Sequence, residues 1–233
     1  ETTREDLARH YGVPRQKVEV VYPGLRAGMA PVEDGARLRE VWARYRVQPP
    51  YFLYVGTLKP RKNLLRLVRA YARFLAGSGA DDAPQLVLAG KRGWQYEALA
   101  REATRLGLES GQIVFPGYVA DEDLPALYTG ALAFVFPSLY EGFGLPLVEA
   151  MACRTPVVTS RTSACGEVAG DAALLVDPLS EEEIAAALAQ VAEDGDLRAA
   201  LAARGRARAR DFSWERTARQ VLEVLVSLAG VPA

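Results

Sequence analysis

The chain has 233 residues, of which 50% are hydrophobic and 24% charged, with a formal net charge of −1. That length is enough to bury one large core or two small ones, and the near-neutral balance gives no global attraction to nucleic acid. No apolar run reaches membrane-span length, and the two cysteines, Cys153 and Cys165, are too few for a disulfide framework. The single histidine, His10, removes His-rich metal sites and histidine-based triads. The first residues do not read as a signal peptide, so the expected location is the reducing cytoplasm.

From the amino terminus, residues 1–25 ("ETTREDLARHYGVPRQKVEVVYPGL") predict a helix, a Gly-Val-Pro turn and a lone strand stopped at Pro23-Gly24. Residues 26–49 predict a charged connection. From residue 50, apolar runs of strand length alternate with amphipathic segments of helix length. Strands are expected over 51–56, 85–90, 112–115, 132–136, 156–159 and 173–176, and helices over 63–76, 94–106, 121–129, 146–153 and 181–193. Runs such as "YFLYVG" and "LAFVFP" are apolar on both faces, as strands are when helices cover both sides of a parallel sheet. The expected fold is therefore α/β: a doubly wound, Rossmann-like parallel sheet over 50–212, with its ligand at the carboxyl ends of the strands. Two further helices follow. The arginines of 198–210 alternate with alanines instead of lining one face and predict a solvated helix, and Ser213 starts a closing helix over 213–233. Trp42 and Trp94 read as packing residues.

Two stretches carry chemistry. In "FPSLYEGFGLPLVEAMACRTPVV" (136–158), Glu141 and Glu149 stand eight positions apart around Gly142 and Gly144. Pro146 suits the first turn of a helix, and the glycines let the backbone approach a ligand closely. Free amides of Gly144, Leu145 and Leu147 at that helix start would favour an anion such as a phosphate, and Glu149 would accept hydrogen bonds from sugar or ribose hydroxyls. The bland alternative is a tight turn with a dipole-complementing Glu149 and a solvated Glu141. In "YVGTLKPRKNLLRLVRAY" (54–71), Gly56 ends a strand, Asn63 is placed to cap the next helix, and Lys59, Arg61 and Lys62 crowd the loop between. Cations at a helix start work against its dipole, so this loop asks for an anionic partner, such as a diphosphate.

These stretches, with "LVLAGKRGW" and "IVFPGYVADEDLPALY", resemble the donor-binding lobe of retaining glycosyltransferases of family 4, the carboxyl-terminal half of a GT-B fold, in order over 51–193. The resemblance also implies that 1–25 is the tail end of an amino-terminal acceptor lobe lying outside the 233 residues, and that the closing helix returns to that lobe. It implies a hexosyl transfer, with mannosyl the leading candidate, from a nucleoside diphosphate sugar to a hydroxyl of a glycan or lipid-linked acceptor. Glu141, Arg61 and Lys62 match the catalytic positions, with Glu141 near the donor sugar and the two cations neutralising the leaving diphosphate. Glu149 matches the ribose-binding glutamate, and Phe143, Gly144 and Leu145 match the turn whose amides hold sugar and diphosphate. Gly56 and Thr57 line the approach, and Lys91, Tyr118 and Val119 match the nucleobase pocket. Neither a cofactor nor a metal is implied; the donor is GDP-mannose or a UDP-sugar. Nucleic acid is not an expected partner, whereas self-association through the closing helix and peripheral contact with the inner face of the cell membrane are left open. The chain departs from the family at "RTSACGEVAGDAA", where Cys165 reads as an inert filler and Glu167 receives no role. A sugar-nucleotide epimerase on the same fold and a non-catalytic nucleotide-sugar-binding module are the competing readings.

Overall fold

The computed structural model describes residues 1–78, 83–91, 96–108 and 111–229. Six parallel strands form one sheet: β1 (Tyr51–Val55), β2 (Gln85–Ala89), β3 (Ile113–Gly117), β4 (Ala133–Phe136), β5 (Val157–Ser160) and β6 (Leu174–Val176). Their spatial order is β3-β2-β1-β4-β5-β6, the doubly wound order, in which strand succession reverses between β1 and β4. Leu53 lies at the centre, paired with Val87 on one side and Phe134 on the other. Residues 51–54 and 133–136 are buried on both faces, which is why these runs do not alternate.

The helices α1 (Thr2–Tyr11), α2 (Gly35–Tyr45), α3 (Leu64–Ser78), α4 (Tyr96–Arg105), α5 (Leu124–Gly130), α6 (Leu145–Ala152), α7 (Ser163–Ala169), α8 (Glu181–Glu193), α9 (Gly195–Ala209) and α10 (Trp214–Ala229) complete the described chain. α3 packs between α4 and α8 on one face of the sheet, while α5 and α6, backed by α2 and α9, cover the other. Each predicted strand and helix of the alternating region forms, with its described ends within three residues of those expected. Trp94 lies outside the described residues. Trp42 is a packing residue: its Nε1 donates to the Tyr51 hydroxyl at 3.2 Å, and its ring fills the space a side chain at Gly130 would need.

Three expectations change. Residues 26–49 are more than a connection, because they contain α2. Asp34 caps that helix by accepting from the Ala36 amide at 2.8 Å, Arg46 closes it in the left-handed conformation, and Val41 is buried beneath it. The lone strand before Pro23 does not form. With no neighbouring strand to pair with, this stretch runs past α10, where Thr217 Oγ1 donates to the Tyr22 carbonyl at 2.7 Å. The arginine-rich helix is not solvated all round, since α9 lays Leu201, Gly205 and Ala209 on the domain and Gly205 meets Met151 of α6.

Candidate functional site: the crevice at the strand ends

Three groups of residues meet the carboxyl ends of β1, β2 and β4. The first is a cavity of about 320 Å³ lined by Gly56, Thr57, Gly90, Lys91, Tyr118, Val119 and Asp121, which gathers all five residues assigned to the approach and the base pocket. Its floor is main chain. A Cβ on Gly90 would stand 2.0 Å from the Gly56 carbonyl oxygen, and Gly90 has φ of +147°, so no other residue fits there. Tyr118 is largely exposed, with Lys91 Nζ 5.5 Å from its ring centroid. A cavity of about 430 Å³ lies elsewhere, between Ala152, the end of α9 and the start of α10.

The second group is an ion triad. A single 3₁₀ turn, Pro60–Lys62, follows β1 and aims both cations at one carboxylate. Arg61 Nη1 lies 2.7 Å from Glu141 Oε2 and Lys62 Nζ 2.6 Å from Glu141 Oε1. Lys62 and Glu141 are buried, and Arg61 is half exposed. Burial pulls the Lys62 ammonium below its ordinary value, and the Glu141 carboxylate opposes that pull. The anion demanded by the basic loop is thus present within the fold, and the solvated Glu141 of the bland alternative is not what forms. Asn63 takes a different role from the expected cap. In the left-handed conformation, its Nδ2 donates to the carbonyls of Pro137 at 3.0 Å and Pro178 at 2.6 Å, pinning the turn to the loops after β4 and β6.

The third group surrounds the start of α6. Gly144 has φ of +99°, and the amides of Phe143, Gly144 and Leu145 have no partner among the described residues. The Leu147 amide, by contrast, returns to the Gly144 carbonyl at 2.9 Å and is not available to a ligand. The Phe143 ring turns away from the crevice and packs edge-on against Phe212, 5.3 Å between centroids, beside Tyr22. Glu149 is largely buried, with about 10% of its side chain still exposed. Its Oε2 accepts from the Tyr128 hydroxyl at 3.0 Å and its Oε1 from Arg26 Nη2 at 3.1 Å, while Arg26 Nη1 holds Asp121 Oδ2 at 2.7 Å.

Sequence reasoning missed Arg26, Tyr128 and Asp121 as members of the site. Arg26 stands in a stretch without periodicity, 123 residues from its partner, and no local spacing signals such a contact. Cys165 is a buried filler, its thiol pushed up by burial to about 11. Glu167 does have a role: it accepts from the Thr2 amide at 2.8 Å, Thr2 Oγ1 at 2.7 Å and the Tyr22 hydroxyl at 2.5 Å, anchoring the start of α1. Burial pushes its carboxyl upward, yet the bond from the Glu1 amino group, followed by those from Tyr22 and Thr2, outweighs it and holds the group down at about 2. Among the described residues no cluster of histidine, cysteine or carboxylate side chains is arranged to hold a metal, and no described helix is long and apolar enough to cross a membrane.

The family profile of glycosyl transferases group 1 matches residues 43–208, most of the chain. The chain belongs to the group 1 glycosyltransferases. Among curated proteins, this glycosyltransferase domain is 38% identical over 221 residues to O-antigen chain mannosyltransferase B of Escherichia coli, covering 94% of the chain and 57% of that protein. Among solved structures, it is similar to the C-terminal domain of a group 1 family glycosyl transferase from Francisella tularensis, with 25% identity and a TM-score of 0.66. That match covers 78% of the chain and 94% of the Francisella domain, and it places the six-stranded sheet as the carboxyl-terminal half of a GT-B fold. HepE from Anabaena, solved in complex with UDP and glucose, shares the fold at 21% identity and a TM-score of 0.82, over 98% of the chain and 61% of HepE.

Proposed function

We propose that the chain is the donor-binding lobe of a retaining hexosyltransferase that moves a mannosyl unit from a nucleoside diphosphate sugar to a hydroxyl of a glycan or lipid-linked acceptor. The observation that carries this reading is what the strand ends gather: a cavity wide enough for a base, joined through Asp121 and Arg26 to a carboxylate suited to vicinal hydroxyls, together with free helix-start amides and two cations. Base, ribose, diphosphate and sugar would meet them in that order. The similarity to an O-antigen mannosyltransferase favours mannose. Since the chain spans little more than half of that relative, residues 1–25 and the closing helix are assigned to the junction with an acceptor lobe.

Cleavage of the donor leaves a nucleoside diphosphate, so the lobe's main task is to stabilise charge that develops on the leaving oxygen. Arg61 and Lys62 would exchange part of their hold on Glu141 for the diphosphate, and the amides at the start of α6 would add fixed dipoles. Glu141, once relieved of its cations, would face the sugar. Attack from the same face as departure needs no covalent carboxylate, and none is assigned.

A thermal-shift panel of GDP-, UDP- and ADP-sugars tests the proposal. A ligand at 100 times its Kd that binds only the folded chain adds about 2.7 kcal/mol of stability. GDP-mannose is expected to raise the melting temperature most; no response to any of the three classes would overturn the reading.

A further inference from the structure

We propose that Arg26 is a positioning residue for ribose recognition: it holds the Glu149 carboxylate oriented so that its two oxygens accept a vicinal diol. This rests on the donor-binding reading of the crevice, and goes beyond it by giving a role to a residue outside the strand-and-helix alternation.

The geometry carries the argument. Glu149 is largely buried, and burying a carboxylate is costly unless a charged partner and hydrogen bonds compensate it. Among the described residues, its charged partner is Arg26, at 3.1 Å on Oε1. Tyr128, a neutral donor that is itself fully buried, takes Oε2 at 3.0 Å. Each oxygen therefore spends one acceptor site inside the protein and keeps another. Two adjacent hydroxyls, one to each oxygen, match what remains.

Arg26 is itself fixed from a second side. Its other terminal nitrogen lies 2.7 Å from Asp121 Oδ2, and Asp121 lines the cavity assigned to the base. The guanidinium thus spans from the rim of the base cavity to the ribose carboxylate, and its planar fork makes both contacts at once, which a lysine ammonium would not reproduce. The Nε of Arg26 is buried without a hydrogen-bond partner, so among the described residues its polar contacts are the two carboxylates. A residue filling space would not need that fork.

The test separates positioning from simple structural support by using the diol as the readout. Affinities of GDP and 2′,3′-dideoxy-GDP, with UDP and its dideoxy counterpart in parallel, are measured by calorimetry on the 233-residue chain and on Arg26→Ala, Arg26→Lys, Asp121→Asn and Glu149→Ala. The wild type is expected to prefer the ribonucleotide by about tenfold or more, the scale of one charged hydrogen bond. Glu149→Ala should abolish that preference. Arg26→Ala should cut it to about threefold or less, with little change in dideoxynucleotide affinity. Arg26→Lys should restore it only in part, and Asp121→Asn, which keeps Arg26 but frees one of its arms, should reduce it less. In the Arg26→Ala/Glu149→Ala double variant the preference should be no lower than in Glu149→Ala alone, because both changes act on one carboxylate. A full ribonucleotide preference in both Arg26→Ala and Asp121→Asn would overturn the inference while leaving the donor site standing. If Arg26→Ala does not fold, Asp121→Asn and Arg26→Lys decide it by the same ratio. Failure of the wild type to bind either nucleotide, or to distinguish ribo from dideoxy forms, would overturn the donor-site reading and this inference with it.

Discussion

Arg61 and Lys62 reach the same carboxylate from unlike surroundings, and their variants should separate accordingly. Arg61 is half exposed, so its ion pair with Glu141 is screened and contributes little to stability. Lys62 is buried, and removing it leaves Glu141 short of its nearest counter-ion. Arg61→Ala is expected to weaken nucleoside diphosphate binding while leaving the melting temperature nearly unchanged. Lys62→Ala should weaken binding and also lower unfolding stability by about 1–3 kcal/mol, the range for a charged hydrogen bond lost in a protected setting. Calorimetry with nucleoside and nucleoside diphosphate, alongside denaturant unfolding, checks both; equal losses for the two ligands would mean that the residues only shape the loop. The residue types of the site were legible because Glu141 and Glu149 bracket a glycine turn and the cations crowd a strand end. Their burial and mutual pairing were not legible, because sequence spacing records which groups lie near one another along the chain, not which of them meet across 80 residues.

Among the elements, α2 depends on a polar anchor more than the others do. Asp123, just before α5, is fully buried and receives the Tyr45 hydroxyl at 2.7 Å and Arg44 Nη1 at 2.8 Å, with Arg37 on its other oxygen. Burial pushes its carboxyl upward, but the bonds from Tyr45 and Arg44 outweigh it, so the folded value lies below the ordinary 3.8. As pH falls, the unfolded chain takes up its proton before the folded one. The stability Asp123 contributes is therefore complete above about pH 4 and lost as pH drops through the folded value. Thermal melts in acid should show this loss in the wild type, and Asp123→Asn should be less stable at neutral pH with a shallower acid dependence. An unchanged acid profile in that variant would remove Asp123 from the account. This also explains why α2 escaped notice while α8 did not. The α8 segment opens with Ser180 and three glutamates before an apolar stripe, whereas α2 interleaves its stripe of Leu38, Val41, Trp42 and Tyr45 with three arginines and a glutamate, and its anchor at Asp123 is met only after folding. Likewise, the β1 and β4 runs announced themselves because continuous apolar stretches have few other uses, while the stretch before Pro23 had strand composition but no partner strand.

At the scale of the molecule, the described surface keeps one face uncovered. Trp214, Val221, Leu222, Leu225 and Leu228 of α10 are exposed to between 42% and 79% of their full areas, more apolar surface than a helix normally leaves to water. Together with the partial coverage of its relatives, this leads to a prediction for the isolated 233 residues: donor binding without sugar transfer, since rate depends on donor and acceptor held together in one cleft. Release of nucleoside diphosphate in the presence of varied acceptors measures it, and acceptor-dependent turnover by this chain alone would refute it. Sedimentation at rising concentration should in addition show self-association that Leu222→Glu with Leu225→Glu removes.

The main-chain floor under the cavity at Gly56 and Gly90 restricts how such a lobe can diversify. Where Gly90 lies against the Gly56 carbonyl, no substitution can offer a new side chain to a ligand, so inherited variation at that depth is closed off. What remains open to change is the rim, at Lys91, Tyr118 and Val119. On the proposed donor-binding reading, a descendant lineage could exchange one nucleotide preference for another by altering those few positions, while the strands beneath them stayed as they were.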